Sequence, residues 1–286
     1  MRRNLLAPLA CTLIGRTLPS DTIINVPFEP AHPLHSLIQD ASPHAGPLID
    51  EVGRRLFQIR SANSHGQRSS ASILINRMYA SRGYLSSPLP TQQLPTRITL
   101  VASDAGATIG TMTIGFDSPA GLNADDPFMN ETAALRAEGR NLCEFTKLAI
   151  DSVVRSKRVL ASLFHVAYIY AHRMMRFDDL LIEVNPRHRR YYERMLGFEV
   201  RGMQRINPRV NAPAVLLCLN FDHAHEQIAQ HGGRPEQGDA TRSLYPYFFS
   251  GAEEASIIER LLRTQPDAAY TPRSLGAGLG TVGTND

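Results

Sequence analysis

The chain has 286 residues, 43% hydrophobic and 20% charged, with 20 Gly, 19 Pro, three Cys and no Trp. That composition excludes a low-complexity polymer and a disulfide-rich miniprotein, and it fits one globular domain with appendages. Thirty Lys and Arg against 27 Asp and Glu give a formal charge of +3, too small to mark a nucleic-acid binder by electrostatics alone.

Seven of the 19 prolines fall within residues 1–53, and glycines thicken again after Gly276. Residues 1–53 therefore read as an irregular Pro-rich arm, 54–225 as a compact core, 226–265 as a C-terminal extension docked on it, and 266–286 as a flexible Gly-rich tail. Arg2-Arg3 followed by Leu5 to Gly15 imitates a signal peptide, while Pro8 inside the apolar run favours a floppy arm. No other segment approaches the ~18 apolar residues of a membrane span. Cys11, Cys143 and Cys218 share no metal-ligand spacing; free thiols in a reducing, cytoplasmic setting are the simplest reading.

From Arg54 the pattern tightens. Leu56 to Arg60 alternates as a first strand, and Ser69 or Ser70 is placed to cap a helix carrying Ile73, Leu74, Arg77, Met78 and Tyr79, stopped by Gly83. Pro88, Pro90 and Pro95 mark a loop. Strands follow over Arg97 to Ala102 and Thr108 to Phe116, joined by Ser103-Asp104-Ala105-Gly106, a hairpin by turn chemistry. After a polar, partly helical excursion over residues 117–139, Asn141 to Ile150 reads as a buried strand. Strict alternation places Leu142, Glu144, Thr146, Leu148 and Ile150 on one face, and Cys143, Phe145 and Lys147 on the other. A carboxylate in such a strand is an anomaly.

A long helix with the apolar stripe Val159, Leu160, Leu163, Phe164, Ala167, Tyr170 and Met174 comes next. Leu180 to Val184 is a short strand, Asn185-Pro186 opens a helix over Arg187 to Leu196, and strands at Phe198 to Arg205 and Ala212 to Phe221 close the core. This order predicts an α/β fold with a mixed central sheet and flanking helices. Further on, Tyr245 to Phe249 holds four of the 20 aromatics, either a packing anchor or a wall of a lipid pocket. Ser250 and Glu253 then have capping-box spacing for a last helix.

Common catalytic templates are missing: there is no G-x-S-x-G, no P-loop lysine motif and no H-E-x-x-H. Gly278 to Gly283 spells G-x-G-x-x-G but lacks room for the helix that must follow. The ten histidines offer no three-ligand spacing, so no metal site is expected.

Two stretches carry the functional signal: Asn141-Leu-Cys-Glu-Phe-Thr-Lys-Leu-Ala-Ile150, and Glu183-Val-Asn-Pro-Arg-His-Arg-Arg-Tyr-Tyr-Glu-Arg-Met-Leu-Gly-Phe198. The second resembles the signature of the GNAT acyltransferase superfamily, in which two adjacent parallel strands splay apart around an acyl thioester. Together with Phe57 to Asn63, Arg68 to Ser72, Asn76 to Tyr79, Arg82 to Tyr84, Val210 to Leu217 and Arg242 to Ser250, they resemble the bacterial long-chain N-acyl amino acid synthases, themselves similar to acyl-homoserine-lactone synthases. The likeness covers Arg54 to about Leu262. It implies a GNAT-like fold with a C-terminal helical extension, and transfer of a medium or long acyl chain from acyl carrier protein to the amine of an amino acid such as tyrosine. No bound cofactor is implied. Acyl-phosphopantetheine is the donor substrate, with acyl coenzyme A as the alternative; a lactone-synthase-like enzyme and a non-catalytic acyl-binding module are the other readings.

Amide formation needs a neutral amine, so a positioned base is useful. Glu144 is the expected base, since burial raises a carboxyl pKa toward the working range; the bland alternative is a Glu paired with a nearby cation. Lys147 matches a cation in the lactone synthases, yet it shares a site with Glu144 only if a bulge intervenes. Tyr192 stands where many superfamily members hold a tyrosine near the leaving thiol, with core packing as its other role. Coenzyme A users carry a glycine-rich pyrophosphate loop; the matching stretch here, Arg155 to Ala161, has no glycine. Arg155, Lys157 and Arg158 are therefore expected to meet a carrier's phosphopantetheine phosphate at a helix start. Arg187 to Arg190 form a second basic cluster, extending that surface or merely solvated. Arg77 and Arg82 are the candidates for the acceptor carboxylate.

Overall fold

The computed structural model describes residues 21–29, 48–50, 53–154 and 156–264. In chain order the principal elements are β1 (Thr22–Pro27), β2 (Leu48–Ile49), β3 (Arg55–Ser61), α1 (His65–Ala80), β4 (Arg97–Asp104), β5 (Ala107–Phe116), α2 (Asp125–Ala137), β6 (Leu142–Ile150), α3 (Lys157–Tyr168), β7 (Asp179–Val184), α4 (Arg189–Leu196), β8 (Glu199–Asn207), β9 (Ala212–Asn220), α5 (Phe221–His231), α6 (Gly238–Thr241) and α7 (Gly251–Thr264). The strands form one mixed sheet in the order β1-β3-β4-β5-β6-β7-β9-β8, with β2 also paired to β3. Among the described strands, β6 and β7 are the parallel neighbours; the other pairings are antiparallel.

Local chemistry accounts for the boundaries. Helix α1 starts earlier than expected because Ser64, not Ser69 or Ser70, is its cap, forming a reciprocal capping box with Gln67. It buries Ala71, Leu74, Ile75 and Met78, one helical face. The β4–β5 hairpin turns on Ala105 and Gly106, both left-handed at φ 47° and 85°, as a two-residue turn that follows strand twist requires. Helix α3, capped by Ser156, runs into a π-helical turn over Ile169–Met174, where the sequence reading continued one helix. Helix α5, unread in the sequence, follows β9 directly, with the Asn220 side chain as its cap.

The sheet is covered on both faces. Leu74, Ile75 and Met78 of α1 pack with Val101 and Ala149, and Phe128 and Leu135 of α2 pack with Leu142, Leu181 and Leu216. On the opposite face α3 joins Leu100, Ile114, Phe145, Leu180 and Leu217 in the main core. Residues 22–27, placed in an irregular arm by their prolines, instead form an edge strand. Ile23 and Val26 are buried there, and Arg260 of α7 donates to the Ile23 carbonyl at 2.8 Å. Leu48–Ile49, also in that arm, form β2, while residues 1–20 with Cys11, 30–47 and 51–52, Arg155 and the Gly-rich tail lie outside the described residues.

The C-terminal extension is stitched to α3. Tyr245, Tyr247, Phe248 and Phe249 are buried, and the Tyr245 hydroxyl donates to the Leu196 carbonyl at 2.7 Å. These aromatics are thus a packing anchor. No described helix is long and apolar enough to cross a membrane.

Candidate active site

Parallel pairing between β6 and β7 covers only Leu142↔Asp179, Cys143↔Leu180 and Glu144↔Leu181. Beyond it the strands separate, and a cavity of about 660 Å³ is lined by Phe145, Thr146, Lys147, Leu148 and Ile150 from β6 and by Ile182, Glu183 and Val184 from β7.

Strict alternation fails in β6. Thr113 pairs with Thr146 but Thr111 pairs with Ala149, so two β6 residues, Lys147 and Leu148, face one residue of β5. Lys147 has φ 51°, the left-handed residue of this bulge. The extra residue reverses the parity: Ala149 packs under α1, whereas Leu148 and Ile150 pack on the α3 side with Phe145. The expectation that Leu148 and Ile150 share the face of Glu144 is corrected accordingly. Lys147 leaves the strand toward the loop that follows α1, where Nζ donates to the Ser87 carbonyl at 2.6 Å, and burial together with nearby Arg97 pushes its pKa down. It lies in the cavity wall.

Glu144 does not. Its side chain is 1% exposed and absent from the cavity lining. Arg97 Nη1 donates to Oε1 at 3.1 Å and the Ala124 amide donates to Oε2 at 3.0 Å. Burial pushes the carboxyl up, against the pull of Arg97. Glu144, the expected base, thus sits behind Arg97, which itself faces the cavity.

Another carboxylate, Glu183, occupies the wall instead. Glu183, near the end of β7, accepts from Asn207 Nδ2 at 2.6 Å and from Arg209, and burial pushes its pKa to about 7 against the attraction of Arg209. Its position inside the second motif, beside a strand end, was the available signal.

The other expected residues divide. Tyr192 lines the cavity on the α3 side, its ring 6.3 Å from Phe164, and burial raises its pKa, so the phenol stays protonated. Arg82 lines the cavity; Arg77 does not, and binds Asp151 at 2.6 Å. Arg158, expected at the donor, is buried and donates to the Tyr247 carbonyl at 2.7 Å, which ties the extension to α3. Lys157 stacks over the Tyr247 ring at 5.3 Å. The start of α3 is already capped: the Arg158 amide donates to Glu29 at 3.1 Å and the Val159 amide to Ser156 at 3.2 Å. Among the described residues there is no cluster of three metal-ligating side chains.

A model of the N-acyl amino acid synthase FeeM family matches residues 70–220, more than half of the chain and the span that builds this cavity. The chain belongs to that family. The solved structure of FeeM, an N-acyl amino acid synthase from uncultured soil microbes, is 28% identical, with TM-score 0.53 over 59% of this chain and 93% of that one. A putative N-acetyltransferase from Lactobacillus plantarum is 14% identical, with TM-score 0.43 over 58% and 98% of the two chains. The AHL synthase LasI is 14% identical, with TM-score 0.41 over 58% and 89%. No curated protein matches the chain. Membership makes this FeeM-family chain an N-acyltransferase, and the mixed α/β, GNAT-like fold expected from the sequence is the one observed.

Proposed function

We propose that the chain moves a medium or long acyl group from the phosphopantetheine arm of acyl carrier protein to the α-amine of an amino acid of tyrosine type. One observation carries this reading: a single cavity crosses the sheet at the β6–β7 gap, with Phe145, Leu148, Leu160 and Phe164 on the α3 side and Arg97, Asn123, Lys147 and Glu183 on the side of α1 and α2. An acyl chain suits the first end and an amino acid the second, so the thioester carbon and the amine meet in the gap.

Backbone N–H groups loosened by the Lys147–Leu148 bulge are suited to stabilise the oxyanion, and the protonated Tyr192 phenol to donate to the departing sulfur. Arg82 suits the acceptor carboxylate, and the edge-on pair Tyr79 and Tyr84, 6.2 Å apart, suits an aromatic side chain.

The donor reading rests on what occupies the start of α3. With Glu29 and Ser156 holding its amides and Arg158 turned to the extension, an anionic pyrophosphate meets no ready cradle there. Exposed Arg190 and Arg194 of α4, beside the cavity residues His188 and Tyr191, offer a basic rim for an acidic carrier. The test compares acyl carrier protein and acyl coenzyme A as donors to tyrosine, before and after Arg190→Glu with Arg194→Glu. The expected result is a higher KM for the carrier alone; equal use of both donors by the wild type, or equal effects on both, overturns the carrier assignment.

A further inference from the structure

We propose that Glu183, and not the buried Glu144, is the catalytic base that takes the proton from the acceptor ammonium. This rests on the reading of the cavity as an amine acylation site. Among the described residues Glu183 is the one carboxylate in the cavity wall. It stands two residues beyond Leu181, the last β7 residue paired with β6, and so at the point where the strands open. Side-chain alternation along β7 puts Leu180 and Ile182 in the α3-side core and Leu181 in the α2 cluster. Glu183 therefore faces the charged end of the cavity, where an amine belongs.

Its carboxylate is held in place. Arg209 donates to Oε1 and Asn207 to Oε2, both from the β8–β9 hairpin, which leaves a further lone pair on each oxygen. The hairpin is already closed by its own ladder, and burying a carboxylate costs more than an apolar residue at the same place. The charged and titratable groups that face it are Arg209, Glu144 on β6, Asp126 on α2 and Tyr79 on α1. Burial and the two carboxylates push its pKa up while Arg209 opposes them, which sets it at about 7, matched to an amine donor near neutral pH.

The step balances. The first proton leaves the ammonium for a Glu183 oxygen and passes to solvent. The neutral nitrogen then attacks the thioester carbon, and the C–N bond forms. The second proton leaves the nitrogen as the C–S bond breaks and ends on sulfur, giving amide, thiol and one released proton.

The experiment measures kcat/KM for acyl transfer from carrier to tyrosine between pH 5.5 and 9 for the wild type, Glu183→Gln and Glu183→Asp. The wild-type rate is expected to rise with pH through about 7 as Glu183 ionises. Glu183→Gln, which keeps the size of the side chain and one acceptor oxygen but removes the charge, is expected to lose about 10²–10⁴-fold, together with that limb. Glu183→Asp keeps the charge and is expected to retain the limb at a reduced rate. A Gln variant within threefold of wild type with its limb intact overturns the assignment, as does a folded Asp variant no better than Gln. A wild type that makes no amide from any thioester overturns the acylation reading itself and the base with it.

Discussion

Arg97 meets Glu144 across Gly115. The three residues are in register on β4, β5 and β6, and the guanidinium lies 3.1 Å from the carboxylate directly over the glycine. A Cβ at position 115 falls 2.8 Å from Glu144 Cγ and 3.3 Å from Arg97 Nη1, so a missing side chain on the middle strand permits the ion pair. The same arginine also donates to Asn123, and it presents its remaining surface to the cavity. Glu144 thus sets Arg97 in place.

Gly115→Ala is expected to destabilise the fold by about 1–3 kcal/mol, since the crowded Glu144 is enclosed and cannot swing away. Urea denaturation reads the loss, and kcat/KM falls with it because Arg97 is displaced from the cavity wall. Unchanged stability and activity would contradict the role given to this glycine.

The bulge makes a second prediction. Lys147 adopts a left-handed backbone that β-branched residues resist and glycine accepts. Lys147→Val is therefore expected to be less stable than Lys147→Gly by about 1–2 kcal/mol, the reverse of strand propensity. Thermal unfolding of the two variants decides it; a more stable Val variant means that β6 runs without the bulge.

The alternating strands, the long apolar helix stripe and the final capping box were legible because each depends on a few neighbouring residues. Ser250 and Glu253 do form their box. The bulge was not legible: period-two reasoning has no term for an inserted residue, and one insertion moves Leu148, Ala149 and Ile150 to opposite faces. Arg158 misled for a related reason. Three cations at a helix start look like an anion site in one dimension, whereas carbonyls some 90 residues away claim the buried one. Glu183 needed the third dimension too, since its partners Asn207 and Arg209 follow it by 24 and 26 residues.

Docking of the extension is expected to depend on pH. His165 is fully buried; it accepts from the Phe249 amide on Nδ1 at 2.9 Å, so its Nε2–H donates to Glu254 at 3.1 Å. Burial holds its pKa below the usual 6.5 despite Glu254, so the unfolded chain takes up the proton first. Stability is then full above pH 6.5 and falls as the pH drops from there toward the lowered folded value. His165→Gln keeps an acceptor and a donor without the titration. Urea midpoints between pH 5 and 7.5 are expected to fall less steeply with acid in that variant; an unaltered slope would contradict the assignment.

Arg158 and the α4 arginines separate stability from donor binding. Arg158→Ala leaves the Tyr247 and Phe248 carbonyls without this donor and is expected to cost about 1–3 kcal/mol, read by thermal unfolding, while KM for the acyl carrier stays near wild type. A raised carrier KM with unchanged stability would return Arg158 to the donor site.

The central claim is a transfer of an acyl group to an amino acid in the β6–β7 cavity. The most direct measurement incubates the purified chain with long-chain acyl carrier protein and an equimolar mixture of amino acids, followed by mass spectrometry of the organic extract with thiol release counted in parallel. The account predicts an N-acyl amino acid, tyrosine foremost, formed one for one with free thiol. Thiol released with free fatty acid as the sole acyl product, or an intact thioester after prolonged incubation, would contradict it.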